Sequence, residues 1–257
     1  MSKITLDIAD NIARLTIQSP PANALSSSLI KQIDEHLDKI EQDETVKAVI
    51  LKGEGKFFSA GADIKEFTDM QEADDYEVLA KVGQDVFGRM EKFHIPIIAA
   101  IHGAALGGGL ELALGCHIRI VTEDAKIGLP ELNLGIIPGF AGTQRLPRLV
   151  GAPKAIEMLL TGEPISGKEA HQYGLANHAV KEDELFTLAE TLTKKFVAKS
   201  KPTISQVMHL VRSENHATFE DGVKAEAKAF GQVFGNEDAT EGIQAFLEKR
   251  PAKFTDK

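Results

Sequence analysis

Residues 97–142 read IIAAIHGAALGGGLELALGCHIRIVTEDAKIGLPELNLGIIPGFAG. The run Ile97 to Ile101 after Pro96 is short, continuous and apolar, the pattern of a buried strand. The chain breaks at His102-Gly103 and then reaches Gly107, Gly108 and Gly109. Leu110-Glu111-Leu112-Ala113-Leu114 follows, good helix formers closed by Gly115. Strand, glycine turn and helix start in that order leave backbone N–H groups unpaired at the first helical turn. Glycine also lets a ligand approach the backbone closely. The stretch reads as a place to stabilise negative charge. Taken alone it has plainer uses: glycines ease strand–helix packing, and a glutamate in a first turn complements the helix dipole.

The flanking sequence repeats the alternation. Ile4 to Asp7 and Ala13 to Ile17 alternate apolar and polar residues around Asp10-Asn11, which predicts a hairpin. Leu29, Ile33, Leu37 and Ile40 recur at helical spacing behind the N-cap candidates Ser26 to Ser28. Ala48 to Leu51 reads as a strand ending at Gly53, followed by a second glycine-bearing loop, GEGKFFSAGAD (53–63). Val82, Val86, Met90 and Phe93 place a helix before the central strand. Strands thus alternate with helices three times before residue 125, the pattern of an α/β domain with sites at strand ends. Further on, Ile118 to Thr122 and Lys126 to Gly128 read as short strands. Pro153 opens a helix through Leu160, and Ser166-Gly167-Lys168-Glu169 is a capping box for another. Leu185 to Phe196 is helical by period. From about Lys199 the pattern is helical only, with apolar positions such as Val207, Val211, Phe219, Val223, Phe230, Ile243 and Leu247.

Composition narrows the class. The chain has 257 residues, 43% hydrophobic and 26% charged, ordinary for a globular protein. A net charge of −9 argues against a nucleic-acid partner. No apolar run approaches the roughly 18 residues of a membrane span. A single cysteine, Cys116, suits a reducing compartment, and no signal-peptide core stands at the start, so a cytoplasmic location is expected. Cys116-His117 is not a nucleophile pair, because adjacent residues on an element point different ways. Ser59 lacks the G-x-S-x-G elbow of a serine hydrolase. No histidine pair has H-x-x-x-H spacing, so no metal is inferred.

Three stretches stand together: FFSAGADIK (57–65), GAALGGGLE (103–111) and PELNLGIIP (130–138). In this order they resemble the enoyl-CoA hydratase (crotonase) family, and the likeness runs from the N-terminal hairpin to Phe246-Leu247-Glu248-Lys249-Arg250. The resemblance implies a crotonase-like α/β spiral of β-β-α units over residues 1–198, and a C-terminal all-helical part, 199–257, that trimerises. It implies an oxyanion hole from the backbone N–H groups of Ala62 and Gly108. It also implies two catalytic glutamates, Glu111 to activate water and Glu131 to deliver a proton, with Gly139 in the segment that positions the water. Lys56 and Lys65 flank the first glycine-bearing loop, where they either meet coenzyme A phosphates or merely solubilise it, and Ala60 of that loop is expected beside the coenzyme A. The implied activity is that of a hydro-lyase: water adds to trans-2-enoyl-CoA to give 3-hydroxyacyl-CoA, in fatty-acid β-oxidation. No cofactor is implied beyond the coenzyme A of the acyl-CoA thioester substrate, and the implied assembly is a homotrimer or homohexamer. Other readings of the same fold are an enoyl-CoA isomerase and a non-catalytic RNA-binding or scaffold homologue; the acidic charge and the glutamate pair weigh against the latter. Two positions depart from the family pattern. His117 stands where aspartate is usual, and Ala141 where glycine is common.

Overall fold

A computed structural model describes residues 2–68, 73–212 and 217–257. β1 (Lys3–Ala9) and β2 (Ile12–Gln18) form the antiparallel hairpin, with Ile4 opposite Ile17. Its two turn residues, Asp10 and Asn11, both take positive φ (53° and 62°), which matches the twist of a two-residue hairpin. β3 (Ala48–Gly53) adds parallel to β2, and β4 (Ile97–Ile101) adds parallel to β3. β5 (Ala104–Leu106) leaves this sheet, while β6 (Ile118–Thr122) returns to it beside β4. β7 (Lys126–Gly128) and β8 (Ile165–Ser166) join β5 in a three-stranded sheet, and β9 (His178–Val180) closes the large one. The sheet orders are β1-β2-β3-β4-β6-β9 and β5-β7-β8. The two short strands after Gly115 therefore belong to different sheets.

The helices are α1 (Ser27–Gln42), α2 (Ile64–Thr68), α3 (Ala73–Glu91), α4 (Gly108–Leu114), α5 (Gly142–Val150), α6 (Ala152–Thr161), α7 (Gly167–Gln172), α8 (Leu185–Val197), α9 (Lys201–Leu210), α10 (Phe219–Phe234) and α11 (Glu237–Leu247). Single 3₁₀ turns lie at Glu131–Leu134 and Glu182–Glu184. Ser26 caps α1 by accepting from the Leu29 N–H, and the Ser166/Glu169 capping box starts α7.

The large sheet is covered on both faces, which is why its central strands read as continuous apolar runs. Val49, Leu51, Ile97, Ala99 and Ile101 pack with Leu29, Ile33 and Leu37 of α1 and with Phe87 and Met90 of α3. The alternate residues Ile50, Ile98, Ala100 and Ile120 pack on Leu185 and Ala189 of α8. Each such fully buried Leu or Ile contributes about 1.5–3 kcal/mol. The helical periodicity after residue 199 is present, but its apolar stripe faces outward: Val211 is 70% exposed and Phe219 82%. No helix among the described residues is long and apolar enough to cross a membrane.

Candidate active site

The site forms where parallel strands end together. β5 pairs in parallel with β7, Leu106 beside Gly128, so the glycine turn after one and Pro130-Glu131 after the other emerge on the same edge. The Gly107 N–H donates to the Gly128 carbonyl (2.9 Å), extending that pairing by one residue. Gly107 then turns the chain at φ 51°, a conformation that favours glycine, and α4 begins at Gly108.

The loop after β3 is fastened to the same edge. Ser59 bridges Ala105 in parallel, and Ala62 bridges Leu25. Ser59 Oγ donates to the Asn23 carbonyl (2.8 Å) and is fully buried, a latch rather than a nucleophile. A Cβ on Gly109 would strike Ser59, its Cβ 2.8 Å away, so this loop and α4 approach as closely as they do only because residue 109 is glycine. In the Leu25 bridge the Leu25 N–H donates to Gly61 O and the Asp63 N–H to Leu25 O, which turns the Ala62 N–H the other way. The Ala62 nitrogen lies 3.1 Å from the point a Cβ on Gly108 would occupy. Among the described residues neither the Ala62 nor the Gly108 N–H has a hydrogen-bond acceptor. Two backbone donors thus stand side by side without partners.

Glu111 closes the first turn of α4 and is 1% exposed. Its Oε1 accepts from the Phe140 N–H (2.8 Å) and from the Gly142 N–H (2.7 Å). Burial pushes its carboxyl up to about 7, the nearby Glu131 charge adds to the rise, and the two amides and the Arg145 guanidinium hold it back. Glu131 opens the 3₁₀ turn. Its Oε1 is 3.1 Å from where a Gly107 Cβ would stand, and its Oε2 is buried with no hydrogen-bond partner among the described residues. Burial raises this carboxyl too. An orphaned carboxylate oxygen with a raised pKa is a group held ready for a proton.

The other expected positions are less central. Gly139 lies at the entrance to the Phe140–Gly142 segment, and its carbonyl accepts from Gln84 Nε2 (2.8 Å). Lys56 and Ala60 are exposed at the rim, Lys56 Nζ 5.5 Å from the Phe57 ring centroid and the Ala60 N–H donating to Ala22 O (2.9 Å). Lys65 is exposed on α2. The sequence reading missed the Phe140 and Gly142 amides, because backbone donors carry no residue-type signal. Cys116 is buried, its thiol pushed up to about 12 by burial, as suits a small apolar residue.

Doubled amide donors beside paired, partly desolvated carboxylates, at the edge of an α/β fold, are an arrangement suited to an enzyme that stabilises an oxyanion and moves protons. The chain belongs to the enoyl-CoA hydratase/isomerase family, whose sequence profile matches residues 7–257. It is 55% identical over 255 residues to a probable enoyl-CoA hydratase of Bacillus subtilis, covering 99% of each chain. It is 38% identical to a short-chain-enoyl-CoA hydratase of Clostridium acetobutylicum, over 97% of this chain and 96% of that one. The crystal structure of an enoyl-CoA hydratase from Bacillus anthracis superposes with a TM-score of 0.94 at 35% identity, over 99% of both chains, so the fold is that of the crotonases.

Proposed function

We propose that the protein is an enoyl-CoA hydratase that adds water across the double bond of a trans-2-enoyl-CoA. The observation that carries the reading is the pair of unpartnered amides, Ala62 and Gly108, set beside the two carboxylates of Glu111 and Glu131. Charge that develops on the thioester oxygen as water attacks C3 is taken by the two amides. Fixed donors of this kind need no solvent reorganisation, and losing one typically costs about 2.7–4 kcal/mol of barrier. Glu111 takes a proton from the attacking water, and Glu131 gives one to C2 as the C3–O bond forms; a proton then returns from Glu111 to Glu131 through solvent, so that water and substrate are the only net reactants of 3-hydroxyacyl-CoA. A base with a carboxyl pKa of about 7 is well matched to neutral solution. Lys56, Ala60 and Lys65 at the rim meet the coenzyme A moiety, and Gly139 belongs to the segment facing the water. Fatty-acid β-oxidation is the corresponding setting, and the lone buried Cys116 supports a reducing, cytoplasmic one. Residues 199–257 are the assembling part of a trimer or a dimer of trimers.

The test is hydration of crotonyl-CoA, followed by loss of the conjugated thioester absorbance, for the parent, Glu111→Gln and Glu131→Gln. Glutamine keeps size and hydrogen bonding but cannot relay the proton. Each variant should hydrate at least about 10²-fold more slowly, with the double variant little worse than the poorer single one. Full hydratase activity in Glu111→Gln refutes the mechanism. An isomerase would instead convert a 3-enoyl-CoA with one glutamate nearly dispensable.

A further inference from the structure

The amides that hold Glu111 are themselves held, and the groups that do so are side chains to which no role has been assigned. The Phe140 N–H belongs to the same peptide unit as the Gly139 carbonyl. Gln84 Nε2, from the middle of α3, donates to that carbonyl (2.8 Å) while the N–H at the other end of the unit donates to Glu111 Oε1 (2.8 Å). The Gly142 N–H shares its peptide unit with the Ala141 carbonyl, which accepts from the Gln144 and Arg145 N–H groups (3.1 and 3.0 Å) at the start of α5. Between the two units lies the Phe140 carbonyl. Arg145 Nη1 donates to it (2.8 Å), and Arg145 Nε donates to Glu91 Oε2 (2.8 Å) at the end of α3. The Arg145 side chain is 8% exposed, and Glu91 also meets Arg148 Nη1 at 3.7 Å. The Phe140 ring packs edge-on against Phe87 of α3, 5.5 Å between centroids.

We propose that Arg145 and Gln84 are positioning residues, which clamp the 139–142 loop to α3 so that its two amides hold the Glu111 carboxylate in place. This rests on Glu111 being the catalytic base. The loop follows the exposed residues Leu134, Ile136 and Ile137, and it passes through Ala141 at positive φ (72°). A buried guanidinium that spans loop and helix is a costly group to keep unless it fixes something. Polarising the 139–140 unit from its carbonyl end also strengthens the amide as a donor to Glu111. The charged groups facing Glu111 are Glu131 from the 3₁₀ turn and Arg145 from α5, with Glu91 of α3 behind the latter. Loosening the loop therefore removes both donors and weakens the Arg145 field together. All three losses raise the Glu111 pKa.

The test measures Arg145→Lys, Arg145→Met and Gln84→Met in the full-length protein. For each, kcat and KM for crotonyl-CoA are taken across pH, with thermal stability, and the Glu111 ionisation is followed directly by carbon-13 NMR on glutamate-labelled protein. Arg145→Met should lower kcat by about 10–100-fold at neutral pH with KM changed less than about threefold, the effect of a misplaced base rather than lost binding. Gln84→Met, on the exposed face of α3, keeps the fold and should lower kcat severalfold. In both, the acid limb of the kcat profile and the Glu111 ionisation move together to higher pH, and Arg145→Lys restores the limb only in part. A lower melting temperature with an unmoved limb and an unmoved Glu111 ionisation would mean a merely structural role and overturn the proposal. If Arg145→Met does not fold, the Gln84→Met limb decides. If the Glu111 ionisation moves while kcat and its profile do not, the clamp stands and the assignment of Glu111 as base fails.

Discussion

At the scale of single residues, His117 shows how a departure from a family pattern is absorbed. Its Nδ1 accepts from the Ile97 N–H (3.0 Å), and its own N–H donates to the Ile97 carbonyl (3.0 Å). The position calls for a hydrogen-bond acceptor at the start of β4, which an aspartate carboxylate or a neutral imidazole both supply. Burial lowers the ring pKa from 6.5 to about 4. The unfolded chain therefore takes up a proton on this ring below about pH 6.5 while the folded chain does not until about pH 4, so its contribution to stability falls as pH drops through that window. Urea unfolding at pH 7 and pH 5 should show the parent losing about 2 kcal/mol more than His117→Asn, which keeps an acceptor but does not titrate. Equal losses would show that folding does not lower the ring pKa. The sequence marked this position as unusual. It did not reveal the partner, since the Ile97 N–H is free for a side chain only because β4 begins there.

Among elements, the most legible were those whose two faces are treated differently or whose ends carry caps. The hairpin followed from alternation and Asp10-Asn11, α1 from its Leu29/Ile33/Leu37/Ile40 stripe, and α7 from the Ser166/Glu169 box. Of the shortest strands only β7, Lys126–Gly128, was legible. β5, β8 and β9 span three residues or fewer, too little chain for a period to show, and they exist because a neighbouring strand edge offers partners. The same limit applies at the site. Glu111 was singled out by the family resemblance, its place after the glycine turn alone having a plainer reading, whereas the 139–142 loop that holds it has neither period nor cap signal. That loop enters α5 through Ala141 at φ 72°, ψ 24°, the left-handed region, where a Cβ costs about 1–2 kcal/mol. Glycine would remove the clash but lose more backbone freedom on folding, a partial offset of about 0.5–1 kcal/mol. Ala141→Gly should therefore leave stability unchanged or raise it by up to about 1 kcal/mol, and Ala141→Val should lower it by about 1–3 kcal/mol. Chemical denaturation checks both, and a clear loss of stability in Ala141→Gly would place residue 141 outside the left-handed region.

For the whole molecule, the decisive feature is how the C-terminal helices join the rest and what they leave uncovered. The tail is tied down by charge: Lys47 pairs with Asp256 (2.7 Å), and the buried Asp238 carboxylate accepts from the Thr255 N–H (2.7 Å) and the Asp256 N–H (3.0 Å). Yet Phe219, Phe230, Phe234 and Phe246 are 58–82% exposed. With about 150–250 Å² per aromatic side chain, these four alone leave on the order of 500 Å² of apolar surface in water, the upper end of what a monomer tolerates. A second apolar set lies elsewhere, at Ile137, Ile156 and Leu160, each more than half exposed. Two different patches on one chain suit a head-to-tail contact, which makes a ring where the rotation between copies closes, as the proposed trimer requires. Light scattering at micromolar concentration should therefore give three or six times the chain mass of 27.8 kDa. Because each chain carries a net charge of −9, added salt should tighten the assembly rather than loosen it. Replacing Phe219 and Phe230 together by glutamate puts charge into the contact and should shift the mass toward one chain, with a lower melting temperature as the apolar faces return to water. A parent protein that scatters as a monomer, or a double variant that keeps the parent mass, would show that these helices do not carry the assembly.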